Sequence, residues 1–195
     1  MNNVLIIDNY DSFTYNLYQL VGQLRSDIIV AYHDQITCDD IAAMEPSHII
    51  LSPGPGRAAN AGVCKEAIVR FAENIPMLGI GLGHHAICET FGATIDYANT
   101  PVHGKACMLH IANGNPIFRG LPPLLQAGLY HSLAVQRNTL PDNLLVIAET
   151  NNGDVMGVKH RNHALFGLPF HPESILTPKG SKIIENFLCI GGSHD

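Results

Sequence analysis

A run of alternating glycines after a short apolar stretch is the part of this sequence best suited to chemistry. Residues 77–80 have the composition of a buried strand, and the residues after Gly83 suit a helix. A sharp strand-to-helix turn can display a nucleophile, and the start of the helix offers free N–H groups to an anion. The central residue of such an elbow (residues 79–83) is ordinarily serine or cysteine. Here it is Gly81, so the predicted geometry has no side chain at its centre.

The elements that would position this elbow alternate between strands and helices. Strands that are apolar throughout are typical of a parallel sheet covered by helices on both faces, with right-handed crossovers. Ser12 or Asp11 is placed to cap the first helix, and Thr37 with Asp40 has the spacing of a capping box. The pattern predicts strands at residues 4–8, 28–32, 48–51 and 77–80, and helices at 13–25, 38–44 and 63–74.

The second half of the chain changes character. Residues 93–158 contain short β-rich segments with turn signals, which predict a partly antiparallel extension at one end of the sheet. A late strand is predicted at residues 164–170, and a final helix from Thr177-Pro178 to about Ile190. Without repeats or a linker, the sequence predicts one α/β domain over residues 1–195.

Composition narrows the function classes. The 195 residues are 46% apolar and 14% charged, as in globular proteins, and the net charge of −6 comes without a basic cluster, which disfavours nucleic acid as a partner. No apolar run is long enough to span a bilayer, and the N-terminus lacks the basic region of a signal peptide. The five cysteines form no CxxC pair, which favours reduced thiols in the cytoplasm. Cys107 and Cys189 are interpreted as small core residues.

Metal binding is not predicted either. His84 and His85 are adjacent, and neighbouring residues on a helix point in different directions, so they cannot easily hold one ion. No cofactor is expected in this chain.

Several segments together resemble the class I (triad-type) glutamine amidotransferases, and most of all the small subunits of anthranilate synthase and aminodeoxychorismate synthase. The resemblance covers the whole length and predicts their fold, a mostly parallel sheet with helices on both faces and a β-rich antiparallel extension. Its carriers are the segments 8–17, 51–56, the elbow, 103–105, 130–133 and 170–174.

The resemblance implies a reaction and a set of site residues. In the family a thiolate attacks the side-chain amide of glutamine, and the ammonia released passes to a chorismate-binding large subunit. His171 matches the histidine that activates the thiolate, and Glu173 matches the acid that orients it; two residues apart on an extended segment, they would point to the same side. Gly56 and Leu82 match the oxyanion hole. The positions matching those that hold glutamine are Gly54, Pro55, Gly56, His85, Ser132 and Leu133.

The sequence departs from the family at the centre of this site. Gly81 stands where the family has its nucleophilic cysteine, and His85 stands where it has a glutamine. Glycine cannot attack an amide, so glutamine hydrolysis is expected to be weak or lost. Cys88 lies seven residues further on, about 10 Å along a helix, too far to substitute. Glycine would also relieve the backbone strain of an elbow.

Two functions therefore stay open. One is the amidotransferase subunit of a chorismate-using synthase, in the tryptophan or the folate route, with glutamine as substrate or ligand. The alternative is a non-catalytic pseudo-amidotransferase that stabilises or regulates a synthase partner.

Overall fold

The computed structural model describes residues 2–191. Its strands form one sheet, and the four predicted in the first half are confirmed. The strands are β1 (Val4–Asp8), β2 (Ile28–Tyr32), β3 (His48–Leu51), β4 (Met77–Ile80), β5 (Ile95–Ile111), β6 (Leu124–Val135), β7 (Leu144–Glu149), β8 (Val155–His160) and β9 (Leu165–Leu168). Their order across the sheet is β2-β1-β3-β4-β9-β8-β7-β5-β6.

Helices follow the first four strands and close the described chain. They are α1 (Thr14–Gly22), α2 (Cys38–Met44), α3 (Cys64–Phe71), α4 (Leu82–Thr90) and α5 (Gly180–Leu188). The capping box of α2 is confirmed: the Asp40 backbone N–H donates to Thr37 Oγ1, and the Thr37 N–H donates to the Asp40 carboxylate. None of these helices is long and apolar enough to cross a membrane.

Both faces of the central parallel strands are buried, as predicted, whereas the edge strand β2 is partly exposed. Strands β2, β1, β3, β4 and β9 pair in parallel. Val4 and Ile6 of β1 point into one core cluster with α1 and α5, whereas Leu5 and Ile7 point into a second cluster with α2, α3 and α4. Because alternate residues face opposite sides, a strand buried on both faces must be apolar throughout.

Antiparallel pairing begins at β9 and β8 and continues to the far edge. The hairpin of β5 with β6 is long and irregular, with register shifts between positions 97 and 102 and between 103 and 105. The fold class predicted from the sequence, a mostly parallel α/β sheet with a β-rich antiparallel extension, is therefore confirmed.

The start of the last helix was predicted wrongly. Helix α5 begins at Gly180, not at Thr177-Pro178, and its N-terminus has no side-chain cap. The Thr177 hydroxyl instead donates to the His171 carbonyl at 2.7 Å and accepts the Gly128 N–H at 2.9 Å. A hydroxyl held by two distant backbone groups is not free to cap a helix.

Two smaller predictions also fail. Neither the Ser12 nor the Asp11 side chain caps α1; the capping position is Phe13, and the Asp11 carboxylate accepts the Phe13 N–H at 2.9 Å. Cys189 is exposed and Cys107 is half-buried, so neither is a fully buried core residue.

Candidate active site

The elbow has the backbone geometry that its sequence predicts. Gly81 lies between β4 and α4 with φ 56° and ψ −109°, a left-handed φ that side chains rarely adopt. Its N–H donates to the Leu168 carbonyl at 2.9 Å, which ties the elbow to the end of β9. The chain that leaves β9 therefore reaches the elbow within a few residues, and His171 lies on it.

Close packing explains the glycines on either side. A Cβ on Gly79 would lie 2.5 Å from the Gly83 carbonyl group, and a Cβ on Gly83 would lie 2.5 Å from the Leu51 carbonyl oxygen. These distances are far below contact, so α4 can approach β3 and β4 only because both positions lack a side chain. The three alternating glycines thus serve close packing at two positions and a left-handed turn at Gly81.

His171 and Glu173 form a buried pair. The His171 Nδ1–H donates to Glu173 Oε1 at 2.7 Å, and the two side chains are 5% and 0% exposed. A carboxylate accepts but does not donate, so this bond places the His171 proton on Nδ1 and leaves Nε2 for the cavity. The predicted pairing holds, but the predicted extended segment is wrong. Residues 172 and 173 turn, with the Ser174 N–H donating to the His171 carbonyl at 3.2 Å.

Two aromatic rings fix the histidine in place. The centroids of Phe13 and Tyr130 lie 5.4 and 5.0 Å from that of His171, both edge-on. The Tyr130 hydroxyl and the Ser174 hydroxyl hydrogen-bond to each other at 2.9 Å. Sequence reasoning assigned no role to either ring, although both belong to segments that carried the resemblance.

The loop after β3 is held to the loop after β1. The Asn9 N–H donates to Ser52 Oγ, and the Asn9 side-chain amide donates to the Ser52 carbonyl, both at 2.8 Å. A Cβ on Gly54 would lie 2.6 Å from the Asn9 Cβ, so this close approach needs glycine. The backbone of residues 53–56 is thereby placed opposite the start of α4.

One cavity of about 260 Å³ unites most of the predicted site residues. Glu173 does not line it but lies behind His171. Asp11, Phe13, Tyr130 and His131 line the cavity and were not assigned to the site from the sequence. The predicted residues that line it are Gly54, Pro55, Gly56, Gly81, Leu82, His85, Ser132, Leu133 and His171.

Two imidazoles on the cavity wall, those of His85 and His131, have lowered pKa values because they are buried. Burial, reinforced by nearby His131, lowers the pKa of His85 to about 4. The approach of the Leu133 carbonyl favours the charged form slightly, yet neither ring nitrogen makes a hydrogen bond within the described residues. Burial also lowers the pKa of His131, and that of His84 well below its usual value, under the elbow against Gly167.

No thiol within the described part of the chain lines the cavity. Burial raises the pKa of Cys64 to about 12, and its thiol donates to Asn9 Oδ1 at 3.4 Å. Cys88 is also buried, with its pKa raised, and contacts the His84 ring. Thiols held protonated in this way are poor nucleophiles. Within residues 2–191, no group of three or more histidine, cysteine or acidic side chains is placed to hold a metal ion.

The buried imidazole of His85 predicts a pH dependence of stability. A histidine in the unfolded chain titrates near 6.5, whereas folded His85 has a pKa of about 4. As the pH falls below about 6.5, the unfolded state takes up a proton that the folded state excludes, so the free energy of unfolding declines toward pH 4.

We expect His85→Gln to lose less stability than wild type between pH 7 and pH 5, by roughly 2 kcal/mol. Urea unfolding at the two pH values measures the difference. Equal losses in the two proteins would show that His85 is protonated in the folded state.

With this geometry in hand, comparison with known proteins assigns the family. Residues 5–190 match the glutamine amidotransferase class-I family, and the chain belongs to it. The aminodeoxychorismate/anthranilate synthase component 2 of Bacillus subtilis is 42% identical over 185 residues, which are 95% of each chain.

Other relatives differ in length or in similarity. The bifunctional protein TrpGD of Thermotoga maritima is 42% identical over 192 residues, which are 97% of this chain but 32% of that protein. The chain therefore spans about a third of that relative's length. A solved structure from Thermoplasma acidophilum, of a protein put forward as one of the subunits of a GMP synthase, has a TM-score of 0.85 at 25% identity, over 96% of this chain and 92% of that one.

Proposed function

We infer that this protein is the amidotransferase-type subunit of a chorismate-using synthase that makes anthranilate or aminodeoxychorismate, and that its own glutaminase activity is weak or lost. The name of its Bacillus subtilis relative, a component 2, supports a partnership with a second synthase subunit. The five cysteines of the chain are all free, which fits the cytoplasm.

One observation supports the inferred loss of activity: Gly81, at the centre of the elbow, has no side chain. An ideal Cβ on Gly81 would lie 3.5 Å from His171 Nε2, so a cysteine there would lie within reach of the histidine that activates it. In this chain the position next to Nε2 holds no side chain. We infer that it corresponds to the nucleophilic cysteine of the active relatives.

The remaining residues suit only part of the reaction. His171, held by Glu173, can exchange a proton at Nε2, and the N–H groups at the start of α4 can stabilise an oxyanion near Leu82. Without a thiol no acyl-enzyme forms, and water would have to attack the amide directly. When an enzyme loses its nucleophile, its rate falls about a millionfold below that of the intact enzyme. The residual rate then comes from substrate binding and the oxyanion hole alone.

A synthase partner would then use free ammonia. Ile175, two residues beyond Glu173, is 93% exposed, and we propose that the partner covers it.

The test uses the complex of this chain and its large subunit, supplied with chorismate, with the nitrogen source varied. We expect product to form with ammonium. With glutamine, we expect product to form at less than about a hundredth of that rate. Ammonium with only the large subunit is the control. Equal rates with glutamine and with ammonium would overturn the loss of glutaminase activity, and failure of the two chains to associate would overturn the partnership.

A second candidate, a non-catalytic module that stabilises or regulates the synthase, is favoured by His85. Neither of its buried ring nitrogens has a hydrogen-bond partner within residues 2–191, which is unusual for buried polar atoms. Faster synthesis from ammonium on addition of this subunit would favour the regulatory function.

A further inference from the structure

One edge of the sheet is open to a further strand. Strand β2 is the first in the order across the sheet, and within residues 2–191 it pairs only with β1. Natural edge strands are usually protected by lysine, proline, a bulge or a covering segment. The sequence of β2, Ile-Ile-Val-Ala-Tyr, has no charge and no proline, and its register with β1 is unbroken. Such an edge favours pairing with another chain.

The hydrogen bonds at the two ends of β2 show which of its backbone groups face outward. The Val4 N–H donates to the Asp27 carbonyl at 2.8 Å, and the His33 N–H donates to the Asp8 carbonyl at 3.0 Å. Successive residues of a strand direct their N–H and C=O groups to opposite sides, so the odd-numbered residues from 27 to 33 face β1. The backbone groups of the even-numbered residues therefore point to the free edge.

Three residues thus present a row of backbone donors and acceptors at this edge. They are Ile28, Val30 and Tyr32, whose side chains share one face of the sheet. Val30 and Tyr32 are 43% and 42% exposed. The Tyr32 ring stacks on that of Tyr10 with centroids 4.4 Å apart, which holds it in place. The edge therefore combines outward backbone groups with an exposed apolar strip.

A second copy of the chain complements this edge. When β2 pairs antiparallel with itself about Val30, its central residue, Val30 lies opposite Val30 of the second copy and Ile28 lies opposite Tyr32 of the second copy. All of these residues direct their backbone groups outward, so each such pair can exchange two hydrogen bonds. The Tyr32 carbonyl also accepts the Gln35 N–H at 3.0 Å, and a carbonyl oxygen can accept a second bond. Both free edges are then used, so the assembly closes as a two-fold dimer.

The side chains agree with this register. On the face that carries Val30, Ile28 comes against Tyr32 of the second copy, an aromatic and β-branched pair of the kind that stabilises sheets. One residue before the strand, Asp27 comes opposite His33 of the second copy, a carboxylate facing an imidazole that can donate to it. Within residues 27–33 the pairing brings no two like charges together.

We propose that this chain forms a two-fold dimer in which the β2 edges of two copies pair antiparallel with Val30 at the centre, so that the sheet continues from one copy into the other. The dimer goes beyond the proposed function and does not rest on it. Neither glutamine nor the large subunit takes part in the contact.

Sedimentation equilibrium of the purified full chain over a range of concentrations tests this proposal. We expect the wild-type mass to approach twice that of one chain as the concentration rises. Val30→Lys sets two ammonium groups opposite each other and should weaken the dimer at least about tenfold. Val69→Lys is the matched control, because Val69 is an exposed valine of α3 outside the β2 edge. It should leave the association unchanged.

A cysteine at the centre of the pairing tests the register. In a hydrogen-bonded antiparallel pair the two Cα atoms lie about 5.5 Å apart, a separation that a disulfide spans. Under mild oxidation, Val30→Cys should therefore give a disulfide-linked dimer. The wild type and Val69→Cys, which carry the chain's own free cysteines, should give far less.

A wild-type protein that stays monomeric at millimolar concentration, or one that grows beyond a dimer, would overturn the proposal. Unchanged association in a folded Val30→Lys protein would overturn it too, because the contact would then lie elsewhere. Should Val30→Lys fail to fold, Val30→Cys decides: no more cross-linking than in Val69→Cys would overturn the antiparallel pairing about Val30. The synthase assay enters none of these results, so failure of the dimer and failure of the proposed function can be told apart.

Discussion

We expect Gly81→Cys to raise glutamate release from glutamine at least a thousandfold over wild type when the large subunit is present. The frame for the reaction already surrounds this position: His171 Nε2 lies 3.5 Å from the Cβ site, Glu173 holds the other ring nitrogen, and the start of α4 is adjacent. A thiol at this position would restore the covalent route. In subtilisin, loss of that route lowers kcat by about six orders of magnitude. The measurement is glutamate formed per enzyme per second.

Two further variants test whether the restored activity comes from this site. His171→Ala added to Gly81→Cys should return the rate to the wild-type level, which separates the built site from a stray thiol. His85→Gln added to Gly81→Cys should raise the rate further if the imidazole only impairs glutamine binding. A folded Gly81→Cys protein with no activity, with or without His85→Gln, would mean that the cavity has been rebuilt for another ligand.

The same substitution should lower stability. With φ at 56°, a side chain at position 81 is strained, at a cost of about 1–3 kcal/mol. A melting temperature equal to or above that of wild type would contradict this account of why glycine is stable at the elbow.

Gly83→Ala should destabilise the protein by about 3 kcal/mol. In an open helix this change would stabilise, by about 1 kcal/mol, because alanine is the better helix former. Here the new Cβ would lie 2.5 Å from the Leu51 carbonyl oxygen and 2.7 Å from the Leu51 Cβ, so α4 must move away from β3. Overpacking against rigid backbone outweighs the propensity gain. Urea unfolding measures the difference.

Gly114→Ala is the matched control. Nothing lies within 4 Å of its Cβ position, and its φ is not left-handed. We expect a change within about 0.5 kcal/mol, as for most surface substitutions. Similar losses in both variants, or a stable Gly83→Ala protein, would show that α4 is not packed against β3 as closely as described.

Patterns of apolar residues were enough to predict the parallel half of the fold. Strands such as Val4–Asp8, apolar up to its final Asp8, and Met77–Ile80 are bounded by turn residues, so their type and limits are encoded locally. The start of α5 was not predictable in this way, because the Thr177 hydroxyl hydrogen-bonds to the Gly128 N–H and to the His171 carbonyl. Such long-range bonds leave no trace in local spacing.

The features of the site can be divided in the same way, into those that the local sequence predicts and those that depend on the fold. The elbow and the His171–Glu173 pair could be recognised from short segments, since each depends on a few consecutive residues. The rings of Phe13 and Tyr130 come together at His171 only through the fold, from positions far apart in the sequence. That neither ring nitrogen of His85 has a hydrogen-bond partner within residues 2–191 is likewise visible only once the fold is known.

Glutamate release by the wild-type protein, saturated with its large subunit, tests the missing nucleophile most directly. The predicted rate is indistinguishable from that of the His171→Ala variant, because no thiol among the described residues lines the cavity beside His171. A wild-type rate near 10 per second, typical of enzymes, that disappears in His171→Ala would show that the site cleaves glutamine after all.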